Sequence, residues 1–333
     1  MVRFKILVIN VLILVICFSC SKIKPKMHFL EGNVFGTDFH IVYEDLATKD
    51  YSEQIDSLFH LMNKSLSTYQ STSDISKINR GDSTIVVDSY FKEVFEKSTR
   101  IYIETNGVFD PTIGVLVNAW GFGPNSEVEN LEDEKISLLL NFVGFDKVQL
   151  IENMVFKKYP EIYLDFNAIA KGYGVDVVSR FLESKEVKNY MIEIGGELRC
   201  RGVNRKGDLW KIGIEKPIEI GERSLQQVVL LDNESMATSG NYRKFKVNPV
   251  TGEKYVHTID TKSGYTVKRD ILSASVISSI DCADLDGYAT AFMAMGFLET
   301  KEFLKKHPEL KVFLIYLDDK GKTENYSNFR LTQ

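Results

Sequence analysis

Apolar and polar side chains alternate through residues 29–44, FLEGNVFGTDFHIVYE, around Gly36. A period of two is the mark of half-buried strands, so a strand pair or one bent strand is expected here. From Asp50 the period changes, and Ile55, Leu58, Phe59, Met62 and Leu66 fall at the spacing of an amphipathic helix. Residues Ser73 to Ser76 predict a short capped turn, and Tyr90 to Thr105 predict a helix stopped by Asn106-Gly107. The Gly and Pro content of 109–124, FDPTIGVLVNAWGFGP, marks irregular backbone. A brief helix is expected at Ile136 to Phe142, strands at Val148 to Phe156 and Ile162 to Leu164, and a helix from Ala168 through Phe181. A strand from Tyr190 to Ile194 breaks at Gly195-Gly196, and strands dominate from there to about Ile280. Helices at 283–296 and Thr300 to Lys306, then a strand at Val312 to Tyr316, complete the pattern. Strands and helices mix without a regular βαβ alternation, which favours α+β over a doubly wound sheet. With no internal repeat, low-complexity tract or Pro-rich linker, a single large domain is expected.

The first residues follow a different logic. Arg3 and Lys5 precede an apolar run from Ile6 to Cys17, shorter than the roughly 20 residues a membrane span needs. A charged start, a short apolar middle and small Ser19 before Cys20 describe an export signal over 1–19. Cys20 resembles the lipidated cysteine of a bacterial lipoprotein, although Cys17 stands where Leu is usual three positions upstream. Residues 20–27, with Lys22, Lys24, Pro25 and Lys26, then read as a tether, and 28–333 as the folded domain. The expected location is the bacterial cell envelope, with the protein held to a membrane lipid through Cys20 and facing the periplasm. Removing 1–19 takes away Arg3 and Lys5 and no acid, so 39 Lys and Arg face 46 Asp and Glu, a net charge of −7. An acidic chain without a concentrated basic tract argues against nucleic acid as the partner. Beyond the signal only Cys200 and Cys282 remain, too few for a disulfide framework.

Four polar islands, and the helix at 283–296 beside them, interrupt core-like sequence. In LDFNAIAKGYGVD, residues 164–176, Asp165 ends a short strand and Lys171 lies in the following helix. Such a helix start suits an anion, though Asp165 would equally serve as a cap. In YMIEIGGELRCRG, Gly195 and Gly196 permit close approach of a ligand or simply make a turn. MATSGNYRKF brings together Thr238, Ser239, Gly240 and Arg243. HTIDTKSGY offers His257 as a base or a structural histidine, and Asp260 as its orienting partner or a turn cap. Finally, in ADLDGYATAFMAMG, residues 283–296, the Asp286 carboxylate and Thr290 hydroxyl stand four apart and share a helix face. Hard oxygens suit Mg²⁺, while a capping Asp beside an unremarkable Thr accounts for the pair as well. Asp284 is expected to cap the helix or to face solvent.

In this order the islands resemble the ApbE family of FAD:protein FMN transferases. The segments that carry the resemblance are FGTDFHIVY, LSTYQSTSDISKIN, FDPTIGVLVNAWGFGP, LDFNAIAKGYGVD, IEIGGELRCRG, ATSGNYRKF, HTIDTKSGY and ADLDGYATAFMAMG, spread over roughly residues 33 to 300. The resemblance implies a T-fold-like α+β domain with its site in a central cleft. It also implies Mg²⁺-dependent transfer of the FMN half of FAD to a Thr or Ser hydroxyl of an exported acceptor protein, such as a redox-complex subunit, releasing AMP. Carried over, the metal ligands are Asp286, Thr290 and the Ala168 carbonyl, and His257 is the general base. FAD contacts fall to Phe35, Tyr69, Phe109, Asp110, Pro111, Asp165, Lys171, Ile259 and Asp260, with Gly195, Gly196, Thr238 and Arg243 in the same cleft. Asn167 stands where the family usually has Gly, and Thr261 where Pro is common. Two other readings fit the same residues: an Mg²⁺-dependent FAD pyrophosphatase giving FMN and AMP, and a non-catalytic flavin-binding lipoprotein.

Overall fold

The structure is a computed structural model describing residues 25–45, 49–124, 131–217, 224–241, 245–247, 254–267 and 269–331. The export signal over 1–19, Cys20 and Arg243 lie outside the described residues. Among the described residues no helix is long and apolar enough to cross a membrane.

The alternation at the start of the chain folds as a hairpin of β1 (Lys26–Val34) and β2 (Thr37–Asp45), turning through Phe35 and Gly36 at φ of 52° and 75°. Both strands join an eight-stranded, wholly antiparallel sheet. Its spatial order is β1, β2, β5 (Asn189–Ile194), β6 (Glu197–Arg201), β9 (Ser235–Gly240), β12 (Ile271–Ser278), β13 (Lys311–Leu317) and β14 (Thr323–Ser327). Period two sorts the side chains onto its faces. Phe39, Ile41 and Tyr43 of β2 lie opposite Ile194, Ile192 and Tyr190 of β5, and all six pack toward the helices. The other face, with Leu198, Cys200, Met236, Ile277 and Ile315, is covered by a two-stranded ribbon of β7 (Trp210–Glu215) and β8 (Leu225–Leu231). Small hairpins are formed by β3 (Val148–Ile151) with β4 (Met154–Lys157) and by β10 (Phe245–Val247) with β11 (Lys254–Val256).

Eight α-helices are present among the described residues. The predicted amphipathic helix becomes α1 (Ser52–Leu66), the expected capped turn extends into α2 (Asp74–Asn79), and the helix expected from Tyr90 becomes α3 (Ser89–Glu104). Ser73 caps α2 by accepting the Ser76 N–H at 3.1 Å, and Asp88 caps α3 by accepting the Phe91 N–H at 3.0 Å. Next come α4 (Gly114–Ala119), α5 (Asp133–Leu140), α6 (Ala170–Ser184), α7 (Cys282–Met295) and α8 (Phe297–Leu304). Helix α7 is buried on nearly every side, between the sheet, α6 and α3. This is the position of a helix that is apolar all round.

Two local expectations are corrected. Asp284 neither caps α7 nor faces solvent: it is buried and paired with Arg100 at 2.6 Å and Lys97 at 3.3 Å. The cap comes from another helix, as Asp176 of α6 accepts the N–H groups of Cys282 and Ala283, both at 2.8 Å. Residues Ile162 to Leu164 form no ladder of their own beyond a single bridge from Tyr163 to Ile113. Instead the Asn79 side chain bonds both the N–H and the carbonyl of Leu164 at 2.8 Å, which satisfies an extended segment without a partner strand. Cys200 and Cys282 are both free and buried.

Helices α6 and α7 approach closely because Gly172 has no side chain. A Cβ there would sit 2.4 Å from the Cys282 carbonyl oxygen and 2.8 Å from the Ala283 nitrogen. Gly172→Ala gains up to about 1 kcal/mol of helix propensity but forces backbone apart, an overpacking that costs about 1–3 kcal/mol. A net loss of stability is therefore expected in chemical denaturation, and an unchanged or raised midpoint would contradict the close-approach account.

Candidate active site

One cavity of about 1410 Å³ runs along α6, α7, the β5–β6 turn and the loops that precede α4 and α6. On one wall α7 offers Asp286 and Thr290, and Ala168 lies on the same cavity just before α6. Asp286 is 2 % exposed. Its Oδ2 accepts the Gly172 N–H at 3.1 Å, while its Oδ1 stands 3.7 Å from Lys171 Nζ. In a regular helical turn the Gly172 N–H would close on the Ala168 carbonyl. Because it goes to Asp286, that carbonyl stays outside the helical ladder. Thr290 Oγ1 lies 3.3 Å from Ser239 Oγ.

Lys171 Nζ also stands 2.7 Å from Oε2 of Glu197, a buried acid at the start of β6. Burial pushes Glu197 up to about 8, against the pull of Lys171, and it raises Asp286 as well. Burial acts on Lys171 in the opposite direction, but Asp286 and Glu197 together outweigh it and keep the ammonium charged. Two buried acids therefore share one ammonium in this corner. The carboxylate, hydroxyl and carbonyl that share it are the hard donors Mg²⁺ takes, so the residues fit that ion. Among the described residues no group of three or more His, Cys, Asp or Glu is placed to hold a metal. A cation here would complete its shell with water and ligand phosphate.

The opposite wall is made by two loops that touch. A Cβ on Gly114 would lie 2.6 Å from the Tyr163 ring, and the Pro111 carbonyl accepts the Asp165 N–H at 2.8 Å. Asp110 accepts the N–H and Oγ–H of Thr112 at 2.7 and 2.6 Å, and Thr112 Oγ1 in turn accepts the Gly144 N–H at 2.7 Å. Asp165 accepts the Asn167 N–H at 2.8 Å. Burial pushes Asp110 up to about 6 and raises Asp165 too. Phe35 and Phe109 line the same space, and Tyr69 stands exposed at its rim. Flat aromatic faces beside carboxyl groups suit a planar ring with polar edges.

His257, Thr258 and Ile259 close one end, with the His257 ring 6.2 Å from that of Phe122. Gly195, Gly196 and Thr238 also line the cavity, as expected. Asp260 does not: its carboxylate caps its own turn, accepting the Lys262 N–H at 2.9 Å, with Arg269 at 4.0 Å. Glu197 is the residue that reading the sequence missed, and its signal was an acid directly after the paired glycines, at a position whose alternation points inward.

Fold and cavity together define an α+β domain with a large cleft into which the buried acids Asp110, Asp165, Glu197 and Asp286 are set. The ApbE family model matches residues 35–314, and the chain belongs to the ApbE family. It is 35% identical over 327 residues to the FAD:protein FMN transferase of Haemophilus influenzae, covering 94% of this chain and 93% of that protein. The Vibrio cholerae enzyme of the same name is 34% identical, with 95% of each covered. The solved flavin transferase ApbE from Vibrio cholerae superposes with a TM-score of 0.81 at 32% identity, over 91% of this chain and 97% of that one. The apo form of the Pseudomonas stutzeri flavinyl transferase ApbE gives 0.78 at 26% identity, over 91% and 96%.

Asp110 gives a pH signature. Its carboxyl is raised from 3.8 to about 6 in the fold, so it favours folding when protonated, and that contribution is lost as pH rises from about 4 through 6. Asn at this position keeps the acceptor for Thr112 and removes the charge. Asp110→Asn is expected to be more stable than the parent at pH 7.5 by about 1–3 kcal/mol, with the gap closing toward pH 4. Thermal denaturation at the two pH values measures it, and a gap independent of pH would reject the assignment.

Proposed function

We propose that this protein transfers the FMN half of FAD onto a Thr or Ser hydroxyl of an exported acceptor protein, with AMP as the leaving group. One observation carries the reading: among the described residues, every site residue expected from the sequence except Asp260 lines a single cavity. In the proposed step the acceptor oxygen forms a bond to the phosphorus of the FMN phosphate. The P–O bond to the AMP phosphate breaks, and the electron pair leaves with AMP. His257, whose ordinary pKa of about 6.5 suits proton transfer near neutrality, takes the hydroxyl proton. The isoalloxazine would lie against the aromatic wall of Phe35, Phe109 and Tyr69, with Asp110 and Asp165 taking polar hydrogens of the dinucleotide. Mg²⁺ held by Asp286, Thr290 and the Ala168 carbonyl would supply positive charge to the phosphate oxygens. Lys171 adds a fixed ammonium beside them, and stabilising charge on phosphoryl oxygens is the main work of such a site. The proposed setting is the cell envelope, with Cys20 as the lipid attachment.

The purified protein, incubated with FAD, Mg²⁺ and exported proteins of the same cell, is expected to yield an acid-stable fluorescent FMN adduct and an equal amount of AMP. AMP without adduct would indicate hydrolysis, and neither product would reject catalysis. His257→Ala is expected to slow transfer by about 10²–10⁴-fold while FAD still binds, and full activity would remove His257 as the base.

A further inference from the structure

The cavity, at about 1410 Å³, exceeds the roughly 300–1,000 Å³ common for small-molecule pockets. Its excess extends past the Gly195-Gly196 turn into a groove on the far face of the sheet. The wall of that groove is β7, whose consecutive residues Lys211 to Glu215 all line it while β8 contributes none. Adjacent residues of a strand point to opposite faces, so a run of five lining one space presents the strand's edge rather than a face. Among the described residues β7 pairs only with β8, which leaves that edge without a neighbour. The Lys216 N–H bonds the Ser224 carbonyl at 2.9 Å, and the register shift adds its extra residue to β8, so β7 keeps its phase. An antiparallel ladder alternates inward and outward, and Lys211 and Gly213 therefore turn their N–H and C=O groups into the groove. The floor is the outer face of β2 and β5, where half-buried Met191 lies near an exposed pair of His40 and Glu193 at 2.8 Å.

We infer that this groove receives the acceptor polypeptide as an extended strand added to the edge of β7. The inference rests on the transfer reaction proposed above, which requires a polypeptide hydroxyl to reach a phosphate inside the cleft. An unpaired strand edge binds extended chain of varied sequence through main-chain hydrogen bonds, with floor pockets choosing alternate side chains. The route onward is open, because a Cβ built on Gly196 meets nothing within 4 Å. Past that turn stands Glu197, 2.7 Å from Lys171, which is itself 3.7 Å from Asp286. A strand lying on β7 thus leads its target residue over the paired glycines to the phosphate corner.

The test uses the full-length enzyme and the exported protein that acquires the FMN mass increment. Lys211→Pro removes an outward N–H from the β7 edge, and Met191→Arg fills the floor. Leu230→Pro makes the same lesion on the outer edge of β8, since Leu230 faces Lys211 across the ribbon. Lys211→Pro and Met191→Arg are each expected to raise KM for the acceptor tenfold or more, with FAD affinity and kcat at saturating acceptor retained, while Leu230→Pro leaves KM near the parent value. A KM unmoved by Lys211→Pro and Met191→Arg, or raised as much by Leu230→Pro as by Lys211→Pro, overturns the inference. If Lys211→Pro does not fold, Met191→Arg decides it. Failure of the parent enzyme to label any exported protein would instead reject the transfer reaction itself.

Discussion

The structure turns on placing charge where a protein can least tolerate it. Asp286 lies in the middle of a helix buried on nearly every side, and its carboxylate is held by one backbone N–H and one ammonium. A buried carboxylate left without partners would cost several kcal/mol, so the surrounding elements have to be organised around it. Helix α6 supplies both partners, Gly172 through its N–H and Lys171 through its side chain, and it can do so only because Gly172 lets the two backbones approach. Glu197 then binds the other side of Lys171, which ties the central sheet to the same corner. The crossing of α6 and α7 and the register of β6 are therefore parts of one electrostatic arrangement. Its oxygen donors are also what make the corner receptive to a cation and to the phosphates a cation brings.

Behind α7 a second set of charges is fully satisfied and performs a different task. Lys97, Arg100 and Arg180 meet Asp281, Asp284 and Glu93, and Asp176 closes the start of the helix. These groups fix the helix from the side away from the cleft. The contrast between the two faces separates structure from site: behind the helix Asp281, Asp284 and Glu93 each have a basic partner and Asp176 accepts two N–H groups, whereas in front two acids share one lysine and three oxygen donors meet at a cavity.

The sequence disclosed what is written in local spacing. Asp286 and Thr290 share a helix face by their four-residue separation alone, and Asp165 falls at the end of a short apolar segment. Hairpin β1–β2, the amphipathic helix α1 and the capped turn at Ser73 are local in the same sense, and they lie where the sequence pattern puts them. Partnerships across the fold were not legible. Asp176 caps a helix that begins 106 residues later, and Asn79 completes an extended segment 85 residues away. No window of sequence contains both members of either pair. Asp284 was misread for this reason, since its basic partners sit on α3. Asp260 shows the reverse case, in which proximity to a candidate base suggested chemistry and the side chain serves its own turn.

The β1–β2 turn argues that the cleft, rather than the scaffold, chose some of these residues. A two-residue hairpin with both central φ values positive suits Asn-Gly, and a bulky side chain in that region is strained by about 1–2 kcal/mol. Here Phe35 occupies the first position at φ 52°. Its ring is pinned edge-on against Phe59 at 5.8 Å and rests over Gly174 of α6, where a Cβ would come within 2.6 Å of it. Asparagine would relieve the strain but would leave the cavity without an aromatic edge at that point. The glycine beneath is in turn a helix-interior residue that costs about 1 kcal/mol relative to alanine. Two unfavourable local choices, far apart in sequence and matched in space, place one aromatic ring at the mouth of the cleft. Strain of this kind persists only where surrounding packing enforces it, and it gathers where a ligand must be met.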